Sequence, residues 1–420
     1  MKILLIHQYF LEEDDGGGSR FNEMTRVWAE RGHDIEVLAG MMHANAHEKR
    51  PEYRGKYYVH KVHNSVSVLR CHVSEAYNRG FLGRLWGYFS FVLSSLYGGL
   101  FKVKKDYDII LVTSPPLFVG ITALLLSLIR RKPFVFEVRD LWPESAIDTG
   151  VLRNEVIIRL AYWFEALMYR KASLINVLTP AFRTTLLNKK GVPAEKVIFI
   201  PNAADFSLAE NVLSDFDRMD FRRKRGWEGR FVITYVGAHG VANHLIQLIE
   251  AAEIVADIPV HFVLIGDGME KPNLRKEVSR RGLKNVEFID PVPKSEVFRY
   301  IAASEFGASV LKRVDTFKTI YSNKTFDYMS CRRPVLLLID GVSRELVETA
   351  GCGVYAEPEN IDDIARKIRE IFRTTEEERA VMGASGYAHA RTHFDREKLA
   401  LEYEQALARV LSSQRQHVKV

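Results

Sequence analysis

Short apolar runs separated by amphipathic stretches set the rhythm of this chain. Lys2 to His7 is apolar and β-prone, Gly16-Gly17-Gly18 opens a helix predicted from Ser19 to Glu30, and Gly32-His33 ends it. Ile35 to Leu38 follows as the next strand, which makes a βαβ unit with a parallel sheet. Tyr58 to His63, Val66 to Cys71, Ile109 to Thr113, Phe134 to Val138 and Leu174 to Leu178 read as further strands bounded by turns. After a polar, charged region from Asp205 to Arg230 the pattern restarts. Phe231 to Val236 is a strand, Val241 to Val255 a helix and His261 to Ile265 a strand. Val286 to Ile289, Phe306 to Leu311, Pro334 to Leu338 and Gly353 to Ala356 extend the series, and Asp395 to Leu411 is an amphipathic helix. The expected architecture is α/β, with two doubly wound halves: residues 1–205, a linker over 206–228, a second half over 229–394 and a C-terminal segment over 395–420.

At 420 residues the chain exceeds what one core usually serves, which also argues for two domains. Its 47% hydrophobic and 27% charged content is that of a globular protein. The net charge of +6 suits a basic soluble enzyme, or attraction to an anionic membrane surface or a diphosphate substrate. Nucleic acid ranks behind these, because no basic block interleaves with aromatics. The three cysteines, Cys71, Cys331 and Cys352, are far apart, form no C-x-x-C pair and fit a reducing cytosol. MKILLIHQYF reads as a strand rather than a signal peptide, since its apolar run is short and no small-residue cleavage site follows. The longest apolar stretch, Leu85 to Phe101, is flanked by Arg79 and Arg84 and by Lys102, Lys104 and Lys105; a second, Pro115 to Ile129, ends in Arg130, Arg131 and Lys132. Both fall short of the roughly 20 apolar residues of a spanning helix. An interfacial helix with basic flanks and a plain core helix are the other readings of the first stretch.

The most informative segment is YSNKTFDYMSCRRPVLLLID, Tyr321 to Asp340. It places Lys324 and Asp327 three residues apart around one helix start, before an apolar strand. An ammonium there, with the helix N-terminus, can hold a diphosphate. The carboxylate can accept hydrogen bonds from ribose hydroxyls. Together they suggest a nucleoside diphosphate site. Ligands of open α/β sheets bind beyond the carboxyl ends of the strands. Gly16-Gly17-Gly18 lies there, with Arg20 adding a cation, and so do Gly237-Ala238-His239-Gly240, whose backbone N–H groups near the helix start can take a phosphate, and Gly266-Asp267-Gly268. Lys312 and Arg313 follow another strand and are expected to open near Lys324, where positive charge would stabilise a departing diphosphate. Arg139-Asp140-Leu141-Trp142-Pro143-Glu144 is either a sugar or acceptor site or a loop capping the next helix through Asp140 or Ser145. His7 and Gln8 line the same region or serve the fold.

In order along the chain, GGGSR (16–20), GHDIEVLAG (32–40), RDLWPES (139–145), IPNAAD (200–205), VGAHG (236–240), IGDG (265–268) and SNKTFDYMSCRRPVLL (322–337) resemble the retaining GT-B glycosyltransferases of family 4. RDLWPES is similar to the bacterial branch that builds O-antigen, capsule and colanic acid, fucosamine transferases included. The resemblance implies a GT-B fold, two Rossmann-like domains facing each other across a cleft, with the C-terminal helix crossing back to the first. It implies a retaining hexosyltransferase that moves a hexose or amino sugar, N-acetyl-fucosamine among the candidates, from a UDP-sugar to a lipid-linked, polyprenyl diphosphate acceptor. The donor would be held by Gly16, Gly17, Gly18, Gly237, His239, Gly240, Gly266, Asp267, Lys312 and Asp327. Lys324, Asp140 and Arg313 would carry the chemistry, and Arg139, Trp142 and Glu144 the acceptor. No metal or other cofactor is implied. Segment 79–105 would dock on the cytoplasmic leaflet, making the enzyme cytoplasmic and peripheral. Two positions depart from the family pattern. Its paired glutamates fall on Thr319 and Asp327, and its Arg and Lys after the Gly237 turn are absent from His239-Gly240-Val241-Ala242-Asn243-His244. A UDP-sugar 2-epimerase of similar architecture and a two-lobed sugar-binding protein are the rival readings.

Overall fold

The computed structural model describes residues 1–12, 20–42, 48–78, 80–104, 106–148, 150 and 152–417. The Gly16-Gly17-Gly18 loop lies outside them. The described residues fall into two compact units. One is drawn from the chain up to Pro201 and from Glu397 onward, the other from Asn202–Arg396.

The first unit is built on eight strands: β1 (Lys2–Ile6), β2 (Asp34–Gly40), β3 (Tyr58–His63), β4 (Val66–Cys71), β5 (Ile109–Ser114), β6 (Phe134–Val138), β7 (Leu174–Val177) and β8 (Val197–Phe199). They are ordered β3-β4-β2-β1-β5-β6-β7-β8, parallel throughout except for β3 against β4. The near-continuous apolar content of the central strands β1, β5 and β6 reflects burial on both faces. Arg20, expected as a cation near a ligand, is instead buried in this unit. Its Nε and Nη2 meet the two oxygens of Glu137 on β6 at 3.0 and 3.1 Å, and Nη2 also donates to the Ile200 carbonyl at 2.8 Å. A buried glutamate needs such a bidentate partner, so this arginine serves the core. The helix Arg396–His417 packs here too, where Trp28 Nε1 donates to the Ala400 carbonyl at 2.7 Å. Among the described residues no helix is long and apolar enough to cross a membrane, so the spanning reading of Leu85 to Phe101 falls. That stretch forms part of the helix Gly80–Phe101.

The second unit carries six parallel strands, β9 (Phe231–Val236), β10 (Val260–Ile265), β11 (Val286–Ile289), β12 (Phe306–Val310), β13 (Val335–Leu338) and β14 (Gly353–Tyr355). Their order is β11-β10-β9-β12-β13-β14. The chain works outward from β9 on one side, then returns to β12 on the other. Connections therefore leave β9 and β12 in opposite directions, and a crevice opens at their carboxyl ends. Tyr328 ties the two strands together: its hydroxyl donates to the Ala308 carbonyl at 2.8 Å and accepts from the Val236 amide at 3.3 Å.

Residues 206–228, expected as a linker, instead hold the helices Phe206–Leu213 and Arg218–Arg225 within this unit. Phe206 and Ala209 enter its core, and Arg222 is buried against Glu305 at 3.0 Å. The charge that suggested a linker is thus partly internal.

Candidate active site in the second unit

At the carboxyl ends of β9 and β12, Lys324, Gly237, His239 and Gly266 of the sequence-predicted site residues lie together. Lys324 stands in the first turn of the helix Asn323–Ser330 and reaches over Gly237, the first residue after β9. A Cβ placed on Gly237 would lie 2.6 Å from Lys324 Cε and 3.1 Å from Nζ, so the absence of a side chain there makes room for the ammonium. The same ammonium lies 5.0 Å from the centroid of the Tyr235 ring, a cation–π distance. Burial pushes the Lys324 pKa down to about 8, and Asp327 on the same helix opposes that shift.

The glycine turns pack on one another. A Cβ on Gly266 would come 1.9 Å from the Gly237 carbonyl oxygen, and one on Gly268 would come 2.5 Å from that of His239. The His239 amide donates to the Asp267 carbonyl at 2.8 Å, and the Glu270 amide returns to the His239 carbonyl at 2.9 Å. The His239 ring is fully buried, 6.0 Å from both the Tyr235 and Phe288 rings, and neither ring nitrogen has a hydrogen-bond partner. Burial, with Lys271 next, pushes its pKa down to about 4, so the imidazole is neutral. His239 thus contributes its backbone to this turn. The Asp267 side chain is exposed.

One expectation here is corrected. The helix after β9 begins at Ile246 rather than near Val241, because His244 takes a left-handed conformation (φ 47°) and breaks the helical path. Gly240 therefore lies in a turn, closed by the Asn243 amide on the Gly240 carbonyl at 3.1 Å. Any anion contact from this loop is made by turn amides, not by a helix terminus.

Asp327 stays close to the lysine in sequence and on the helix, and its Oδ1 lies 3.3 Å from Lys294 Nζ. Burial pushes its pKa up, and Lys294 opposes this. Lys312 and Arg313 line a shallow depression over β13 and β14 with Phe317, Asp340, Tyr355 and Glu357. Arg313 pairs with Glu357 at 2.8 Å, which takes up the charge expected beside Lys324.

In the first unit, Asp140 accepts a hydrogen bond from the Ser145 hydroxyl at 2.6 Å. Burial pushes its pKa up. Glu144 pairs with Lys190, which also holds Glu165 at 2.8 Å. Trp142 packs edge-on to Phe118 at 5.5 Å, and Arg139 sits 4.0 Å from Glu137. His7 is buried, 2.7 Å from the Thr113 hydroxyl.

Three residues of the second unit escaped the sequence reading. Tyr235 supports Lys324 with its ring and donates its hydroxyl to the Ala238 carbonyl at 2.8 Å. Lys271 is buried and donates to the Gly266 carbonyl at 2.7 Å and to Asp290 at 2.6 Å, which fixes the second glycine turn. Tyr328 joins the strands below. Only the place of Tyr235, two residues before Gly237 at a strand end, offered a signal.

Comparison with known proteins agrees with this fold. Residues 15–203 match the glycosyl transferase 4-like domain, and residues 230–374 match glycosyl transferases group 1. The chain is a GT-B glycosyltransferase. The transferase is 23% identical over 379 residues to a protein of Escherichia coli (strain K12) named as the colanic acid biosynthesis glycosyl transferase WcaI, covering 89% of this chain and 92% of the relative. Its fold is similar to that of sucrose-phosphate synthase from Thermosynechococcus elongatus, with a TM-score of 0.75 at 16% identity over 98% of this chain and 99% of that one. It is also similar to Anabaena Alr3699/HepE, solved with UDP-glucose, with a TM-score of 0.69 at 19% identity over 97% and 99% of the two chains.

Proposed function

We propose that this transferase moves a hexose or amino sugar from a UDP-sugar to a lipid-linked saccharide acceptor, with retention of configuration, in bacterial surface polysaccharide synthesis. The observation that carries the donor reading is Lys324, held by Tyr235 over Gly237 at the point where the second sheet divides. A diphosphate placed there meets an ammonium and the amides of two packed glycine turns. Asp327, one turn along, takes the ribose hydroxyls. As the sugar leaves the diphosphate, the negative charge that develops on the phosphate oxygens is stabilised by a cation already in position. UDP is favoured because Alr3699/HepE was solved with UDP-glucose. The polysaccharide pathway is favoured by the likeness to the colanic acid protein.

The acceptor is assigned to the carboxyl end of β6, where Arg139, Asp140, Trp142 and Glu144 stand. Its lipid character is supported by the helix Gly80–Phe101, on which Trp86, Leu93, Tyr97 and Phe101 are exposed. Arg130 joins this helix to Val119–Arg130 by donating to the Leu100 carbonyl at 2.7 Å, and Leu128 and Ile129 are exposed there too. With Lys102, Arg131 and Lys132 beside these apolar side chains, the surface suits an anionic bilayer.

Incubation of the protein with a panel of nucleotide sugars, with and without polyprenyl diphosphate saccharides, tests the proposal. The expected result is release of UDP that requires the acceptor. Formation of a new nucleotide sugar without acceptor would mark an epimerase and overturn the transfer reading. Turnover confined to GDP-sugars would overturn the donor assignment.

A further inference from the structure

Four charged side chains of the second unit form one connected set. Lys294 opens the helix Lys294–Ala303; its ammonium contacts Asp205 and lies 3.3 Å from Asp327 Oδ1. Asp205 also accepts from Arg396 Nε, and Arg396 Nη2 donates to the Ala203 carbonyl at 2.6 Å. Asp205 and Arg396 are 3% and 8% exposed, Lys294 16% and Asp327 21%. The set holds two cations and two carboxylates, so its charge balances. Asp205 is shared by both cations, and Arg396 remains to it if Lys294 is removed. Asp327 then loses the ammonium that holds it, while the Asp205–Arg396 contact that fastens residues 203–205 to Arg396 persists. Asp327 is also the most exposed of the four, as a carboxylate open to a ligand must be.

We propose that Lys294 is a positioning residue for nucleotide recognition: it clamps one oxygen of Asp327 and thereby presents the carboxylate to the ribose hydroxyls of the donor. This rests on the reading that Asp327 takes the ribose. A short aspartate side chain left without such a clamp would be free to turn and to lose its charge in a partly buried setting, and a hydrogen bond from a hydroxyl is stronger to an ionised acceptor.

Calorimetric titration at pH 7 with UDP and with 2′,3′-dideoxy-UDP tests it. In the unaltered protein UDP is expected to bind about tenfold or more tightly than the dideoxy compound, since hydrogen bonds to charged groups are the strong ones. Lys294→Met should reduce that ratio to below about threefold while leaving dideoxy-UDP affinity unchanged, and Lys294→Arg should restore most of it. A Lys294→Met protein that keeps the full ratio, or that loses affinity for both ligands equally, overturns the proposal. If the Met variant does not fold, Lys294→Gln carries the same comparison. Asp327→Asn separates the two readings. Loss of the ratio in Asp327→Asn but not in Lys294→Met overturns this inference alone. No preference for UDP in the unaltered protein overturns the ribose reading, and this inference with it.

Discussion

Replacing Lys324 with methionine is expected to lower turnover by about two to three orders of magnitude while making the unliganded protein more stable. The loss follows from removing a preorganised cation at the leaving diphosphate, worth roughly 3–4 kcal/mol in comparable sites. The gain follows from the cost of keeping the lysine. Its pKa falls from 10.5 in the unfolded chain to about 8 in the fold because burial disfavours the ammonium. The unfolded chain therefore binds that proton more tightly, and folding bears a penalty of up to about 3 kcal/mol, reduced by whatever water still reaches the partly exposed group. The sign sets the pH window. The penalty is full below pH 8, fades as pH rises from about 8 to 10.5, and is absent above. Urea unfolding at pH 7 and pH 10 should show the methionine variant more stable at pH 7 and the difference shrinking at pH 10. The same proton governs binding: UDP affinity in the unaltered protein should fall as pH rises above about 8.

The second large effect is expected at Gly266. Its φ of +141° and the 1.9 Å that would separate an added Cβ from the Gly237 carbonyl oxygen leave an alanine no place without parting the two turns. Backbone, not a flexible side chain, stands in the way. Gly266→Ala should therefore cost several kcal/mol, roughly 3 or more, and abolish UDP binding in whatever fraction remains folded. Gly282→Ala is the control. Gly282 also has positive φ, at +64°, but nothing lies within 4 Å of its Cβ position, so only the conformational cost of about 1 kcal/mol is expected. Thermal unfolding of the two variants side by side reads the difference as one of packing.

Part of this arrangement is legible in the sequence. The strands were legible because each is an apolar run closed by a turn residue, and Lys324, Gly237 and Gly266 were legible because they follow such runs where a sheet offers its ligand edge. β8, Val197–Phe199, was not among the strands read from the sequence. Arg20 was misplaced because its partner, Glu137, is 117 positions away, and nothing local distinguishes a buried arginine from one that meets a ligand. The helices within 206–228 read as a linker because Arg222 and its neighbours look solvated until Glu305 is brought to them. Lys294 and Tyr328 share that history: each acts through a contact the fold creates. Arg313 was a correct reading of position at a strand end, but Glu357, 44 residues on, claims its charge. Asp140 shows that a motif found by composition can also satisfy a local need, here a hydrogen bond from the Ser145 hydroxyl near the start of the helix Glu144–Asp148.

A crystal structure of the transferase soaked with UDP decides where the donor sits. Diphosphate oxygens are expected within hydrogen-bond distance of Lys324 Nζ, above Gly237, with the ribose hydroxyls on the Asp327 carboxylate. UDP bound with its diphosphate on Lys312 and Arg313 over β13 and β14, or anywhere away from the division between β9 and β12, would contradict this placement.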